Sequence, residues 1–265
     1  MMKKEQYTVS DLLDIIVRLR QPDGCPWDKV QTHESIKKDM IEECYEAIDA
    51  LDSGDDRAFA NELGDVLLQV AFHSVLAEER GAFTFDDVVN EVCNKLIDRH
   101  THVFGSDKAE NAEEAYGNWE KNKKKEKALD SYTAALKDVP ASLPALMRAA
   151  KVQKKAAAVG FDWNSAEGVF DKVQEEEKEL SDAYKSKNLE NIEEEYGDLL
   201  FTVVNLGRHL GLTPEITLAK ATNKFIGRFE KMEEFAINDE KDMTNLTANE
   251  LENLWNRAKS NKNQF

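Results

Sequence analysis

The chain has 265 residues, 41% hydrophobic and 33% charged, enough apolar material for two packed domains and too much for global disorder. Its formal net charge of −17 repels polyphosphate and nucleic acid, so direct nucleic-acid binding is not expected, and a small anionic substrate needs a site that brings its own cations. Cys25, Cys44 and Cys93 form no CxxC pair and are expected as reduced thiols of a cytoplasmic protein. The polar start Met1–Gln6 is no signal segment, and apolar runs such as 66–72 are too short to span a membrane.

Only five prolines occur, at 22, 26, 140, 144 and 214, and long proline-free stretches rich in Glu, Lys, Ala and Leu favour helices. The first expected helix runs over about 10–20, capped by Ser10, and Gln21-Pro22-Asp23-Gly24 breaks it. A second covers 34–51 and stops at Ser53-Gly54. A third covers 57–80 and stops at Gly81. Thr84 caps a fourth over 85–100, with Asp86 and Asp87 in its first turn. Residues 105–117 read as a loop, followed by a short helix around Trp119 and a solvated lysine run, 121–127. The second half offers helices over 146–159, 165–187 with Ser165 as cap, 188–209, and 213–235 opened by Thr213-Pro214. A last short helix carries Trp255. The expected fold is therefore all-α, with a first domain over 1–130, a linker over 131–144 and a second domain over 145–265.

Two acidic constellations recur at constant spacing. Glu42-Glu43-x-x-Glu46 is followed by Glu62-x-x-Asp65, and Glu175-Glu176-x-x-Glu179 by Glu195-x-x-Asp198. All five acids are displaced by 133 between the halves. Asn94-Lys95-x-x-x-Arg99 recurs as Asn223-Lys224-x-x-x-Arg228, and Trp119 as Trp255. Duplication explains this set, and the fold is a tandem repeat of two helical bundles. Helical spacing puts each EExxE on one stripe and each ExxD on a stripe of the next helix, and a short connection packs the two helices antiparallel. Facing acidic stripes repel unless a cation compensates, and an all-oxygen ligand set suits a hard ion: Mg²⁺, Mn²⁺ or Ca²⁺. Lys172 lies on the face of Glu175 and Glu176, and Lys224 and Arg228 form an i, i+4 pair, so cations suited to phosphates are at hand.

These motifs resemble the all-α nucleotide pyrophosphohydrolases, and among them the MazG family. Gly24-Cys25-Pro26-Trp27-Asp28 with Gln31-Thr32, Arg99-His100-x-His102-Val103-Phe104, Ser142 to Ala149, and Val159-Gly160-Phe161-Asp162-Trp163 carry that resemblance. It implies two MazG-like helical-bundle domains and Mg²⁺-dependent hydrolysis of nucleoside triphosphates to monophosphate and pyrophosphate, with Mn²⁺ as a possible substitute. It further implies broad base preference, a role in nucleotide-pool cleansing or stress, a homodimer, and a second domain that does most of the catalysis. By the same resemblance Glu176, Glu179, Glu195 and Asp198 are metal ligands, and Lys172, Glu175, Lys224, Arg228 and Trp255 contact nucleotide.

The halves are unequal. Asp39 stands where the second half has Lys172, and Phe72 where it has Asn205, a polar residue on the face of Asp198. Asn205 is thus a further candidate for substrate binding. The first half, with Glu42, Glu43, Glu46, Glu62 and Asp65, is expected as a degenerate site acting mainly in assembly. Mechanistically, the acids hold the metal, Glu175 helps orient water or contacts the sugar, and Lys172, Lys224 and Arg228 stabilise the leaving pyrophosphate. A di-iron bundle is disfavoured because no histidine has Glu three positions earlier. Zinc at Cys93, His100 and His102 lacks a fourth ligand, and no GxxxxGK occurs for a P-loop. The remaining rival is a non-catalytic helical regulator that binds nucleotides.

Overall fold

The computed structural model describes residues 3–127 and 131–260, and side chains except those of 124–127. All regular structure among them is helical, and the chain divides into two compact units, Met1–Ala128 and Leu129–Phe265. The domain end expected at residue 130 lies outside the described residues.

The first unit holds α1 (Val9–Arg20), a 3₁₀ turn (Asp28–Val30), α2 (Lys37–Ser53), α3 (Asp56–Glu78), α4 (Phe85–Arg99), α5 (Thr101–Phe104) and α6 (Ala112–Lys127). Thr8, not Ser10, caps α1. Its hydroxyl accepts from the Asp11 amide and Asp11 returns a bond to the Thr8 amide, a reciprocal pair that Ser10 cannot form. The start of α2 falls three residues later than expected because Thr32 and Ser35 bond each other across a turn, Thr32 N to Ser35 Oγ at 2.9 Å. Gly54 ends α2 in the left-handed conformation (φ 75°), and Asp55 then caps α3 by accepting from the amides of Arg57 and Ala58. These two signals make α2 and α3 an antiparallel hairpin. Ile16, Ile36, Ala71, Phe72, Val75 and Leu76 form the core that holds it against α1. The loop expected over 105–117 is shorter than read: α6 begins at Ala112, where Asn111 accepts from the Glu114 amide and Glu114 from the Glu110 amide.

The second unit holds α7 (Tyr132–Lys137), α8 (Ala145–Ala157), α9 (Ala166–Ser186), α10 (Leu189–His209), α11 (Pro214–Asn238), a 3₁₀ turn (Met243–Asn245) and α12 (Ala248–Ser260). The segment read as a linker carries α7, which Ser131 caps and which packs on α8. Val139 is buried behind it, and Asp138 meets Lys155 at 3.4 Å. Ser165 holds the cap position of α9 without its side chain accepting from a first-turn amide, whereas Asn188 caps α10 through the amides of Glu190 and Asn191. α9 and α10 form a second antiparallel hairpin. Its turn repeats the first at a displacement of 133, with Lys187 (φ 57°) in the left-handed place of Gly54. Pro214 opens α11 at its first turn as the sequence indicates. Met232, Ala236, Leu254 and Ala258 join α11 to α12. No described helix is long and apolar enough to cross a membrane, and the three cysteines are free thiols.

Candidate active site

Helical periodicity and a tight turn bring acids of α9 and α10 to one place. Carboxylate oxygens of Glu176, Glu179 and Glu195 lie within 4.8 Å of one another. Glu176 is buried, with 5% of its surface exposed, and Lys172 one turn before it meets its Oε1 at 2.8 Å. The same ammonium donates to Glu175 Oε1 at 2.8 Å. Hydrogen bonds to Glu175 and then Glu176 raise the Lys172 ammonium above its ordinary range, so it remains a cation. Burial first, then the charges of Glu179 and Glu176, push the Glu195 carboxyl above its usual range. Three carboxylates brought this close, one of them buried, fit a hard divalent cation, which supplies compensating positive charge. Asp198, one turn after Glu195, is exposed and stands outside this trio.

The first unit assembles a related but different trio, Glu43, Glu62 and Asp65, also within 4.8 Å. Here the equivalent of Asp198 joins and Glu46, the equivalent of Glu179, does not; Glu42 and Glu46 are both exposed. Burial, followed by Asp65, Glu46, Glu62 and Asp39, raises the Glu43 carboxyl. Asp39 thus adds repulsion where Lys172 adds attraction, and its own nearest cation is Lys38 at 3.5 Å.

The cationic and aromatic candidates meet on other elements. The Arg228 guanidinium of α11 lies 5.7 Å from the Trp255 ring centroid of α12, and Phe225 tilts against the same ring at 5.2 Å. Lys224, one turn before Arg228, is exposed. Sequence reasoning missed Lys259, whose ammonium lies 5.9 Å from the Trp255 centroid. Its position four residues after Trp255, matched by Lys123 after Trp119, was the available signal. Asn205, expected to contact substrate, is buried, and its Oδ1 accepts from Arg208 Nε at 3.0 Å. Arg208 and His209 both also bond Asp162, in the loop before α9. Burial opposes ionisation of Asp162, but the bonds from Arg208 and His209 outweigh it and hold its carboxyl below the usual range. Asn205 therefore belongs to a network that fixes the loop entering α9 against the end of α10. Phe72, its counterpart, lies in the first core under the Arg20 guanidinium at 5.4 Å.

Comparison with known proteins identifies the family. The model of the MazG nucleotide pyrophosphohydrolase domain matches twice, over residues 31–104 and 164–233, so each match spans one acidic hairpin. The chain is 45% identical to the nucleoside triphosphate pyrophosphohydrolase/pyrophosphatase MazG of Thermotoga maritima, over 97% of this chain and 98% of that protein. It is 44% identical to the nucleoside triphosphate pyrophosphohydrolase of Escherichia coli, over 95% and 97%. A Mycobacterium tuberculosis nucleoside triphosphate pyrophosphohydrolase is 39% identical over 51% of this chain and 41% of its own length. With two domain matches, full-length relatives and a carboxylate trio in each hairpin, the chain belongs to the MazG family of nucleotide pyrophosphohydrolases and carries the family's domain in tandem.

Proposed function

We propose that the second unit hydrolyses nucleoside triphosphates between the α and β phosphates, releasing nucleoside monophosphate and pyrophosphate, in a Mg²⁺-dependent reaction tolerant of the base. The observation that carries this reading is the trio of Glu176, Glu179 and Glu195 with Lys172 bridged to its buried member. The relatives' names support the substrate class. Glu176, Glu179 and Glu195 hold the cation, with Asp198 as their fourth partner. Bound there, Mg²⁺ (or Mn²⁺) supplies a Lewis acid for phosphate oxygens and acidifies a water. Glu175, exposed and tied to Lys172, orients the water whose oxygen bonds to the α-phosphorus as the bridging bond breaks. Lys172, Lys224 and Arg228 take up charge on the departing pyrophosphate, and Trp255 stacks on the base. The first unit, with Asp39 in place of a lysine, serves assembly.

The decisive assay incubates the chain with each ribo- and deoxyribonucleoside triphosphate, with Mg²⁺ and with chelator. Monophosphate and pyrophosphate are the expected products. Orthophosphate with a diphosphate would mean a different cleavage site, and binding without any product would favour a regulator. We further propose that the chain is a homodimer. Support comes from Tyr196, Leu200 and Val203 of α10, apolar residues at helical spacing that are 55%, 42% and 46% exposed. Leu63 and Leu67 repeat the first two of these positions on α3 and are also exposed.

A further inference from the structure

Two imidazoles of the first unit meet away from its carboxylate trio. His33 lies in the turn that leads into α2, and His73 lies on α3 between the buried Phe72 and Ser74. Both are half-buried. Their Nδ1 atoms are 2.8 Å apart, their ring centroids 5.1 Å apart and their planes within 5°. With the planes parallel, those two distances set the rings side by side in one plane. Each Nδ1 is aimed at the other, as an N–H···N bond requires. Arg80, just past the end of α3, reaches the far edge of His33, Nη2 to Nε2 at 3.0 Å.

The guanidinium decides where every proton of this chain of bonds sits. It only donates, so His33 Nε2 accepts. The one ring proton of a neutral His33 is then on Nδ1 and is donated to His73, whose Nδ1 accepts and whose own proton is on Nε2. No nitrogen between Arg80 and His73 is left to take up another proton. A protonated His73 turns a second N–H toward that of His33, and a protonated His33 turns one toward Arg80. Without Arg80 the pair would accommodate the proton, because His33 could carry its hydrogen on Nε2 and accept from His73. The neighbouring charges are engaged elsewhere. Arg20 of α1 holds Glu79 at 2.7 Å and the carbonyls of Asp28 and Gln31. Glu34 lies 3.6 Å from Lys37, and Asp39 lies 3.5 Å from Lys38. Burial, then the charge of His33, pushes the His73 imidazole below its ordinary range.

We propose that His33, His73 and Arg80 form an acid-sensitive latch. With both rings neutral it fastens the turn before α2 to the end of α3, and a proton taken from solvent breaks the imidazole bond and releases that turn. The open turn binds the proton more tightly than the closed one. Closure therefore weakens as pH falls from the ordinary imidazole value of about 6.5 toward the lowered one. Arg20 holds the Glu79 carboxyl below its usual range, so that clamp outlasts the latch and the opening stays local. By the repeat displacement of 133, the second unit has Ala166, Leu206 and Thr213 at the three positions. Mild acid thus acts on the entry to α2 and not on the hairpin of α9 and α10.

The test is hydrogen exchange of the full chain read by mass spectrometry at about pH 7.5 and about pH 5.5, corrected for the intrinsic pH dependence of amides. The Ile36 and Met40 amides donate to the Thr32 and Ile36 carbonyls, each at 3.3 Å, and so report on the turn. Protection over residues 32–40 should fall by about tenfold or more in acid, while residues 165–173 keep theirs. Arg80→Gln changes an exposed residue beyond the helix, and its amide pairs with Nε2 as donor or acceptor. That variant should keep its protection nearly equal at the two pH values. Long-range proton–nitrogen correlation at neutral pH should find His33 protonated on Nδ1 and His73 on Nε2. The opposite tautomers, a wild-type turn equally protected at both pH values, an equal loss in the second unit, or an undiminished acid loss in Arg80→Gln overturns the proposal. No readout involves metal or nucleotide, so pyrophosphate release stands or falls on its own assay.

Discussion

At the residue scale the central object is Glu176, a buried carboxylate whose nearest partner is a lysine one helical turn away. Glu176→Gln keeps its shape and removes its charge. Steady-state turnover should fall by roughly 100-fold or more, with the thermal midpoint held, whereas Glu43→Gln should leave most of the turnover. The opposite ranking would assign catalysis to the first unit. The raised carboxyls of Glu195 and Glu43 set a pH dependence. A raised acid binds its proton more tightly in the folded chain than in the unfolded one. Its contribution to stability therefore declines as pH rises from the unfolded value of about 4.3 through the higher folded one. A cation between the carboxylates removes that penalty. Added Mg²⁺ should raise the melting temperature clearly at pH 7 and little at pH 4, and equal shifts at both would place the ion elsewhere.

At the element scale, the two hairpins are written in their caps and stops. Asp55 and Asn188 open the second helix of each, and Gly54 and Lys187 close the first helix in the same left-handed turn. A lysine there carries a steric cost that glycine avoids. Lys187→Gly should stabilise the chain by about 1 kcal/mol after the larger backbone entropy of glycine is counted, read as a higher denaturant midpoint at unchanged slope. A lower midpoint would show that Lys187 makes a compensating contact. The elements that sequence reading shortened or missed lack apolar periodicity. α6 begins among Ala112, Glu113 and Glu114, and α7 lies between a serine cap and Pro140. Packing on α4 and on α8 makes helices of them.

At the scale of the whole molecule, the apolar stripe Tyr196, Leu200, Val203 remains on the outer side of α10 after its own unit has folded. A second copy of the chain is the proposed cover. Leu200→Asp should therefore shift the molar mass measured by light scattering from dimer to monomer, and a wild-type chain that is already monomeric would remove the proposal. The duplication also explains how unequal halves can coexist. Each unit builds its own core and its own carboxylate trio, so Asp39 and Phe72 could replace Lys172 and Asn205 in one unit without dismantling the other.

The sequence by itself determined the helices with strong periodicity, the stops at glycine, the duplication, the family and the pairing of EExxE with ExxD, because these are properties of spacing along one or two adjacent helices. Only the tertiary structure decided which acids meet. Asp198 and Asp65 join their stripes by the same spacing, but only Asp65 joins its trio in space. It also placed Asn205 in a hydrogen bond with Arg208, and gave His100, His102 and Tyr116 a shared groove. Such outcomes depend on side-chain direction and on which neighbours arrive from distant segments, and a one-dimensional pattern records neither.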